Sequence, residues 1–216
     1  MDGNGRWAER RGWPRSAGHR AGAAVVRRVV EAAPPLGIEV LTLFAFSSDN
    51  WRRPADEVAA LMDLFGDYLR SEGRRCARRG VALEVIGRRD RLPSQLIEAI
   101  AGVEAVTQAG RSLRLRIALD YSARDAIRRA ALQAAHQAHP SLTQAEFGEL
   151  VAGVDHGGAV PAVDLVIRTG GERRLSDFLL WESAYAELFF LDTPWPDFTP
   201  RELAAVVAAF RRRERR

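Results

Sequence analysis

The residue types able to do chemistry are gathered in three short polar stretches. The first opens the chain as Asp2-Gly3-Asn4-Gly5-Arg6-Trp7-Ala8. Two glycines let a turn bring successive backbone N–H groups onto one anion. Asp2 offers oxygen to a hard cation, and Arg6 offers a planar fork to phosphate oxygens. These types together suit a diphosphate held with Mg²⁺; the same residues alone would also suit a charged surface turn. The second stretch, Ser47-Ser48-Asp49-Asn50-Trp51-Arg52-Arg53-Pro54, follows an apolar run. The third, Arg168-Thr169-Gly170-Gly171-Glu172-Arg173-Arg174-Leu175-Ser176, again pairs a Gly-Gly turn with arginines and a hydroxyl.

Positions outside these stretches add to the set. Arg15 precedes Gly18-His19-Arg20-Ala21-Gly22, a glycine-rich helix start where free N–H groups favour an anion and His19 is a donor. Glu187 stands among Ala184 to Phe190, and a carboxylate in so apolar a setting is costly unless paired or bound to metal. His136 and His139 lie three apart, but with no cysteine or histidine beside them they read as a solvated face.

Alternating strands and helices must position these groups. Ile38–Phe46, Val81–Gly87, Leu113–Tyr121 and Val163–Arg168 read as strands, the first and last nearly continuous in apolar character, as in a sheet covered on both faces. Helices are expected from Ser16, as N-cap, to about Ala33, and from Pro54 to about Gly80 with Val58, Leu61, Met62, Phe65, Tyr68 and Leu69 on one face. Others are expected over Leu92–Thr107, from Ser122 to about His139, over Gln144–Val151 and from Arg201 to Arg216, with a helical reading also for Phe178–Tyr185. The pattern predicts one α/β domain over residues 1–216 with a mostly parallel sheet, its ligands outside the carboxyl ends of the strands.

Composition narrows the class. The 216 residues are 47% hydrophobic, enough for a sizeable core. No run approaches the ~20 apolar residues of a membrane helix. The polar start reads as no secretion signal, and the single Cys76 excludes an internal disulfide and suits a cytoplasmic protein. All 32 basic residues are arginine, yet the net charge is only +4. A nucleic-acid binder is the reading from charge alone; no DNA-reading motif supports it, nor is there a P-loop or dinucleotide fingerprint.

Five segments in order resemble the cis-prenyltransferases across nearly the whole chain. They are Met1-Asp2-Gly3-Asn4-Gly5-Arg6-Trp7-Ala8; Gly18-His19-x-x-Gly22; Leu41-Thr42-Leu43-Phe44-Ala45-Phe46-Ser47-Ser48-Asp49-Asn50-Trp51-x-Arg53-Pro54-x-x-Glu57-Val58; Ile167-Arg168-Thr169-Gly170-Gly171-Glu172-x-Arg174-Leu175-Ser176; and Ala184-Tyr185-Ala186-Glu187-Leu188-Phe189-Phe190. The resemblance implies a homodimer whose parallel sheet and surrounding helices enclose a hydrophobic tunnel. It implies Mg²⁺-dependent addition of isopentenyl diphosphate to an allylic diphosphate such as farnesyl diphosphate, giving a Z-polyprenyl product of the undecaprenyl class. A short-chain synthase and a non-catalytic partner subunit are the alternatives within the family. Peripheral membrane contact for release of a lipid product is a further expectation.

Carried over by position, Asp2 would hold the metal. Gly3, Asn4, Gly5, Arg6, Trp7, Arg15 and His19 would bind the allylic diphosphate. Ser47, Asn50, Trp51 and Arg53 would shape the space between substrates, with Asn50 near the proton that is lost. Arg168, Arg174 and Ser176 would grip isopentenyl diphosphate, Glu187 would support metal there, and Glu57 and Glu172 match family glutamates, the former near the homoallylic site. Ala45 and Leu113 match tunnel positions. Departures are Asp49 in place of the family's glutamate, and Asp120-Tyr121-Ser122-Ala123-Arg124 in place of Asn-Tyr-Gly-Gly-Arg. The family pattern also has a strand before Met1 and a tail beyond Arg216, so both ends are expected to be clipped.

Overall fold

The computed structural model describes residues 1–137, 141–158 and 161–213. Three parallel strands, β1 (Val40–Ser47), β2 (Val81–Ile86) and β3 (Leu113–Tyr121), form a sheet in the order β1-β3-β2. Two more, β4 (Leu165–Arg168) and β5 (Glu187–Phe190), pair in parallel as a second sheet. Among the described residues seven α-helices accompany them: α1 (Asn4–Glu9), α2 (Arg15–Ala32), α3 (Ala55–Arg78), α4 (Ser94–Thr107), α5 (Ala123–His136), α6 (Gln144–Gly153) and α7 (Pro200–Arg211).

β3 is central and almost wholly buried, and its buried charged residues are paired, Arg116 with Glu84 and Asp120 with Arg91. One face of its sheet packs Leu83, Val85, Leu115 and Ile117 against Val25 and Val29 of α2, Leu61 and Leu69 of α3, and Ile100 of α4. The outer edge of β2 is covered by side chains of α4. The Leu83 N–H donates to Thr107 Oγ1 at 3.1 Å and the Val85 N–H to Glu104 Oε1 at 2.9 Å. Those bonds satisfy donors an edge strand would otherwise leave open.

The free edges of β1 and β4 have a different fate. Consecutive residues 40–47 and 165–168 all line one cavity of about 1130 Å³. Side chains alternate along a strand, so consecutive lining residues mean that backbone edges face the space. The cavity therefore lies between the two sheets and includes the gap between their edges.

Most expected elements appear within a few residues of the sequence reading. Three differ. Asn4–Glu9 is a short helix rather than a turn, with Gly3 as its left-handed N-cap at φ 93°. Helix α2 begins at Arg15 after Pro14, and Ser16 makes no cap. Residues 178–185 form turns, not a helix, because Ser176, Asp177 and Leu179 have φ of 51°, 63° and 47°, outside the helical region. The strand β5 that follows was not expected. His139 lies outside the described residues, so the His136–His139 pair has no structural account. Among the described residues no helix is long and apolar enough to cross a membrane.

Candidate active site

The site forms where the first and third polar stretches meet. The Asp2 N–H donates to Thr169 Oγ1 at 3.1 Å, and the Asp2 carbonyl accepts from the Trp195 N–H at 2.8 Å. The chain at Asp2 is thus clamped between the end of β4 and the turn after β5. Gly170 permits the closeness, since a Cβ there would stand 3.0 Å from the Asp2 carbonyl carbon. The Asp2 carboxylate accepts from the Gly3 N–H at 2.6 Å and from Arg168 Nη2 at 2.9 Å. Burial pushes its pKa up, but the Arg168 guanidinium and the Gly3 N–H outweigh this and hold it below the ordinary carboxylate value.

Arg168 connects two cradles. Besides Asp2, it donates to Ser176 Oγ at 2.7 Å and to the Arg174 carbonyl oxygen. Arg174 pairs with Glu172, which also lies 3.6 Å from Arg6. The cationic groups of both glycine turns therefore share one mouth of the cavity.

A second cluster forms on α2 and α3. Arg15 lies over Gly5, where a Cβ would come within 2.6 Å of its Cζ. Glu57 meets Arg53 at 2.8 Å, Arg15 at 3.6 Å and His19 Nε2 at 3.8 Å. Burial first, then the charges of Arg53 and Arg15, lower the His19 pKa against the pull of Glu57, so His19 is neutral near pH 7. His19 Nε2 and Asn4 Oδ1 are both buried without a hydrogen-bond partner. Orphaned polar atoms beside a cavity are where a polar ligand restores the lost bonds.

The third group is the 3₁₀ turn Ser48–Arg52 after β1. Ser47 caps it: its Oγ accepts from the Asp49 N–H at 3.1 Å, while Asn50 Oδ1 accepts from the Ser47 N–H at 3.0 Å. That bond ties down the amide oxygen and leaves the Asn50 NH₂ as the available donor. Asp49, Asn50 and Arg53 line the cavity.

Residues 1–216 match the family described as "Putative undecaprenyl diphosphate synthase". The chain is 58% identical over its full length to isoprenyl transferase 1 of Bradyrhizobium diazoefficiens, covering 86% of that protein. It is 46% identical over its full length to the Pseudomonas aeruginosa ditrans,polycis-undecaprenyl-diphosphate synthase ((2E,6E)-farnesyl-diphosphate specific), covering 87% of it. The crystal structure of lavandulyl diphosphate synthase from Lavandula x intermedia, in complex with dimethylallyl diphosphate, superposes with a TM-score of 0.94 at 32% identity, over 100% of this chain and 94% of that one. The chain belongs to this prenyltransferase family.

The prenyltransferase fold brings together Asp2, Gly3, Asn4, Gly5, Arg6, Arg15, His19, Ser47, Asn50, Arg53, Arg168, Arg174 and Ser176, all of which line the cavity. Four expected residues fall elsewhere. Trp7 points away from it, donating to Asp197 Oδ1 at 2.7 Å with Arg11 over its ring. Trp51 packs on the core, edge-on to Phe46, and does not line the space. Leu113 is buried in the core and is not a cavity wall. Glu187 begins β5, opposite Leu165 rather than Arg168, and pairs with Arg213 at 2.7 Å. Glu57, matched to the homoallylic side, sits instead with Arg15, His19 and Arg53. The hold of Thr169 and Trp195 on the Asp2 backbone carries no local sequence signal, because the partners are distant in the chain.

Proposed function

We propose that this prenyltransferase adds isopentenyl diphosphate to an allylic diphosphate, with farnesyl diphosphate as starter and undecaprenyl diphosphate as product. The observation that carries the reading is the Asp2–Arg168 ion pair, which unites two arginine-bearing cradles at the mouth of an apolar cavity. Two diphosphates must lie close together for one to capture the other's prenyl group, and each needs its own cations.

The donor set fits Mg²⁺. Among the described residues no group of three or more His, Cys, Asp or Glu converges, so no all-protein metal cage is present. Mg²⁺ is usually held by one or two carboxylates together with substrate phosphates, and Asp2 is an ionised carboxylate at the cavity mouth. When bound, the ion would supply positive charge to the leaving diphosphate.

The chain's own residues do the rest. The first-turn N–H groups of α1, with Arg6 and Arg15, receive the allylic diphosphate as negative charge grows on it. His19, being neutral, donates a hydrogen bond rather than a charge. Arg168, Arg174 and Ser176 orient isopentenyl diphosphate. Val26, Leu43, Ala45, Leu61 and Phe65 line the interior and keep water from the cationic carbon.

A second copy of the chain is proposed as partner. Tyr185, two residues before β5, is 93% exposed, and Leu188, within β5, is 40% exposed. Apolar surface of that kind is what an interface covers. A shorter product is the second reading, favoured by the likeness to lavandulyl diphosphate synthase. Incubation with farnesyl diphosphate, labelled isopentenyl diphosphate and Mg²⁺, followed by chain-length chromatography, tests both. A ladder reaching eleven isoprene units, the meaning of undecaprenyl, supports the first reading. A single early product supports the second, and no incorporation sinks both. Sedimentation at several concentrations tests the dimer.

A further inference from the structure

The side chain of Asp120 is fully buried, at 0% exposure, and its backbone is left-handed at φ 51°. A buried carboxylate is tolerated only with a partner. Asp120 has two. Arg91 reaches it with both prongs, Nε to Oδ2 at 2.9 Å and Nη2 to Oδ1. The Ser48 hydroxyl donates to Oδ1 at 2.9 Å. Arg91 also stands over the indole of Trp51, with Cζ 5.4 Å from the ring centroid, inside cation–π range.

These contacts grip the active-site turn at both ends. Ser48 is its first residue and Trp51 its fourth, and between them Asp49 and Asn50 line the cavity. The Trp51 ring has no hydrogen bond to fix it, since Nε1 is buried and unpartnered. Its named ring contacts are the Arg91 guanidinium over its face and Phe46 edge-on at 5.4 Å between ring centroids, with the core behind. Neither Arg91 nor Asp120 lines the cavity.

We propose that Arg91 and Asp120 are positioning residues: their fork-shaped ion pair, anchored at the end of β3, sets the Ser48–Arg52 turn and through it the place of Asn50 in the site. The kinetic part rests on the prenyl-transfer reading above. A merely structural pair would need only a positive charge to neutralise Asp120. A positioning pair needs the planar fork and the stacked face, which lysine lacks.

Arg91→Lys separates the two. It keeps the charge, so the folded protein is expected to retain a melting temperature within a few degrees of the original. Misplacing a catalytic turn is expected to lower kcat about tenfold while the KM values for both diphosphates stay within about twofold. The protein labelled with 5-fluorotryptophan gives a Trp51 resonance, assigned by its loss in Trp51→Phe, that should shift or broaden in Arg91→Lys. Asp120→Asn is isosteric and keeps a partner for Ser48. It should show the same pattern more weakly, and it carries the comparison if Arg91→Lys does not fold. Unchanged kcat in Arg91→Lys, a change confined to KM, or an unmoved Trp51 resonance would each overturn the proposal. If the unaltered protein transfers no prenyl group, the functional reading fails, while the fluorine measurement still decides whether Arg91 holds Trp51.

Discussion

Asp2 and Arg168 stand 166 positions apart in sequence and 2.9 Å apart at the nearest oxygen and nitrogen. Nothing in local spacing joins them; only the pairing of β4 with β5 and the clamp on the Asp2 backbone do so. Their union alters what arginine substitutions should do. Arg174→Lys should raise KM for isopentenyl diphosphate alone, because its fork is lost at one cradle. Arg168→Lys should disturb both substrates, since Arg168 also holds the Asp2 carboxylate. Steady-state kinetics with each diphosphate varied in turn decides this; an isopentenyl-only effect for Arg168→Lys would refute the bridge. Asp2→Ala should lower kcat roughly 10²–10³-fold, the scale of removing one fixed group that stabilises transition-state charge. His19 gives a pH signature. Its folded pKa lies below the ordinary 6.5, so below that value the unfolded chain binds more protons than the folded one. Stability on its account is full above pH 6.5 and falls as pH drops towards the lowered folded value. Denaturant midpoints measured from pH 7.5 to 5 should fall less steeply in His19→Gln; parallel profiles would place the loss elsewhere.

Elements whose pattern is carried by side-chain periodicity were legible in the sequence. β1 with its near-continuous apolar run and α3 with Val58, Leu61, Met62 and Leu69 on one face are examples. Elements decided by the backbone were not. Helix α1 was hidden because its glycines suggest a turn, and residues 178–185 were misread because their apolar spacing is helical while left-handed φ values interrupt it. Of the candidate site, the residues in glycine turns were found by type, whereas the roles given to Trp7, Trp51 and Leu113 came from family position, and none of the three lines the cavity. Gly18 and Gly22 show what the spacing of their motif is for. A Cβ on Gly18 would stand 2.0 Å from the Asn4 carbonyl oxygen, and one on Gly22 would stand 2.4 Å from Asn4 Oδ1. The glycines let α1 lie directly on α2. Gly18→Ala should therefore destabilise the fold by about 1–3 kcal/mol, as overpacking does, and raise KM for the allylic diphosphate. Gly102→Ala, with nothing within 4 Å of the added carbon, should instead stabilise by up to about 1 kcal/mol through helix propensity. Chemical denaturation of the pair checks both signs; equal effects would remove the packing account.

At the scale of the molecule, the proposed reaction makes the cavity lined by both sheets the path of the growing chain. Its mouth holds Asp2, Asn50 and Arg168, and its walls are α2, α3, β1 and β4. Ala45 sits near the carboxyl end of β1, close to the mouth, whereas Tyr68 lies 14 residues along the chain from Pro54, about 20 Å down α3 at helical rise. A product lengthened one isoprene unit at a time stops when its far end meets side chains that cannot yield, because packed interiors absorb little added volume. Ala45→Leu narrows the path near its start and should shift the product ladder to shorter chains. Tyr68→Ala removes bulk from the deep end and should admit longer ones. Leu113→Ala, expected from family position to lengthen the product, should leave the ladder unchanged. Leu113 is 2% exposed within the core, and its truncation should cost about 2–5 kcal/mol of stability instead. Chain-length chromatography of the three variants, beside their melting temperatures, separates wall from core. An unaltered ladder in Ala45→Leu would mean that the chain does not pass β1, and a longer product from Leu113→Ala would mean that the path turns behind β3.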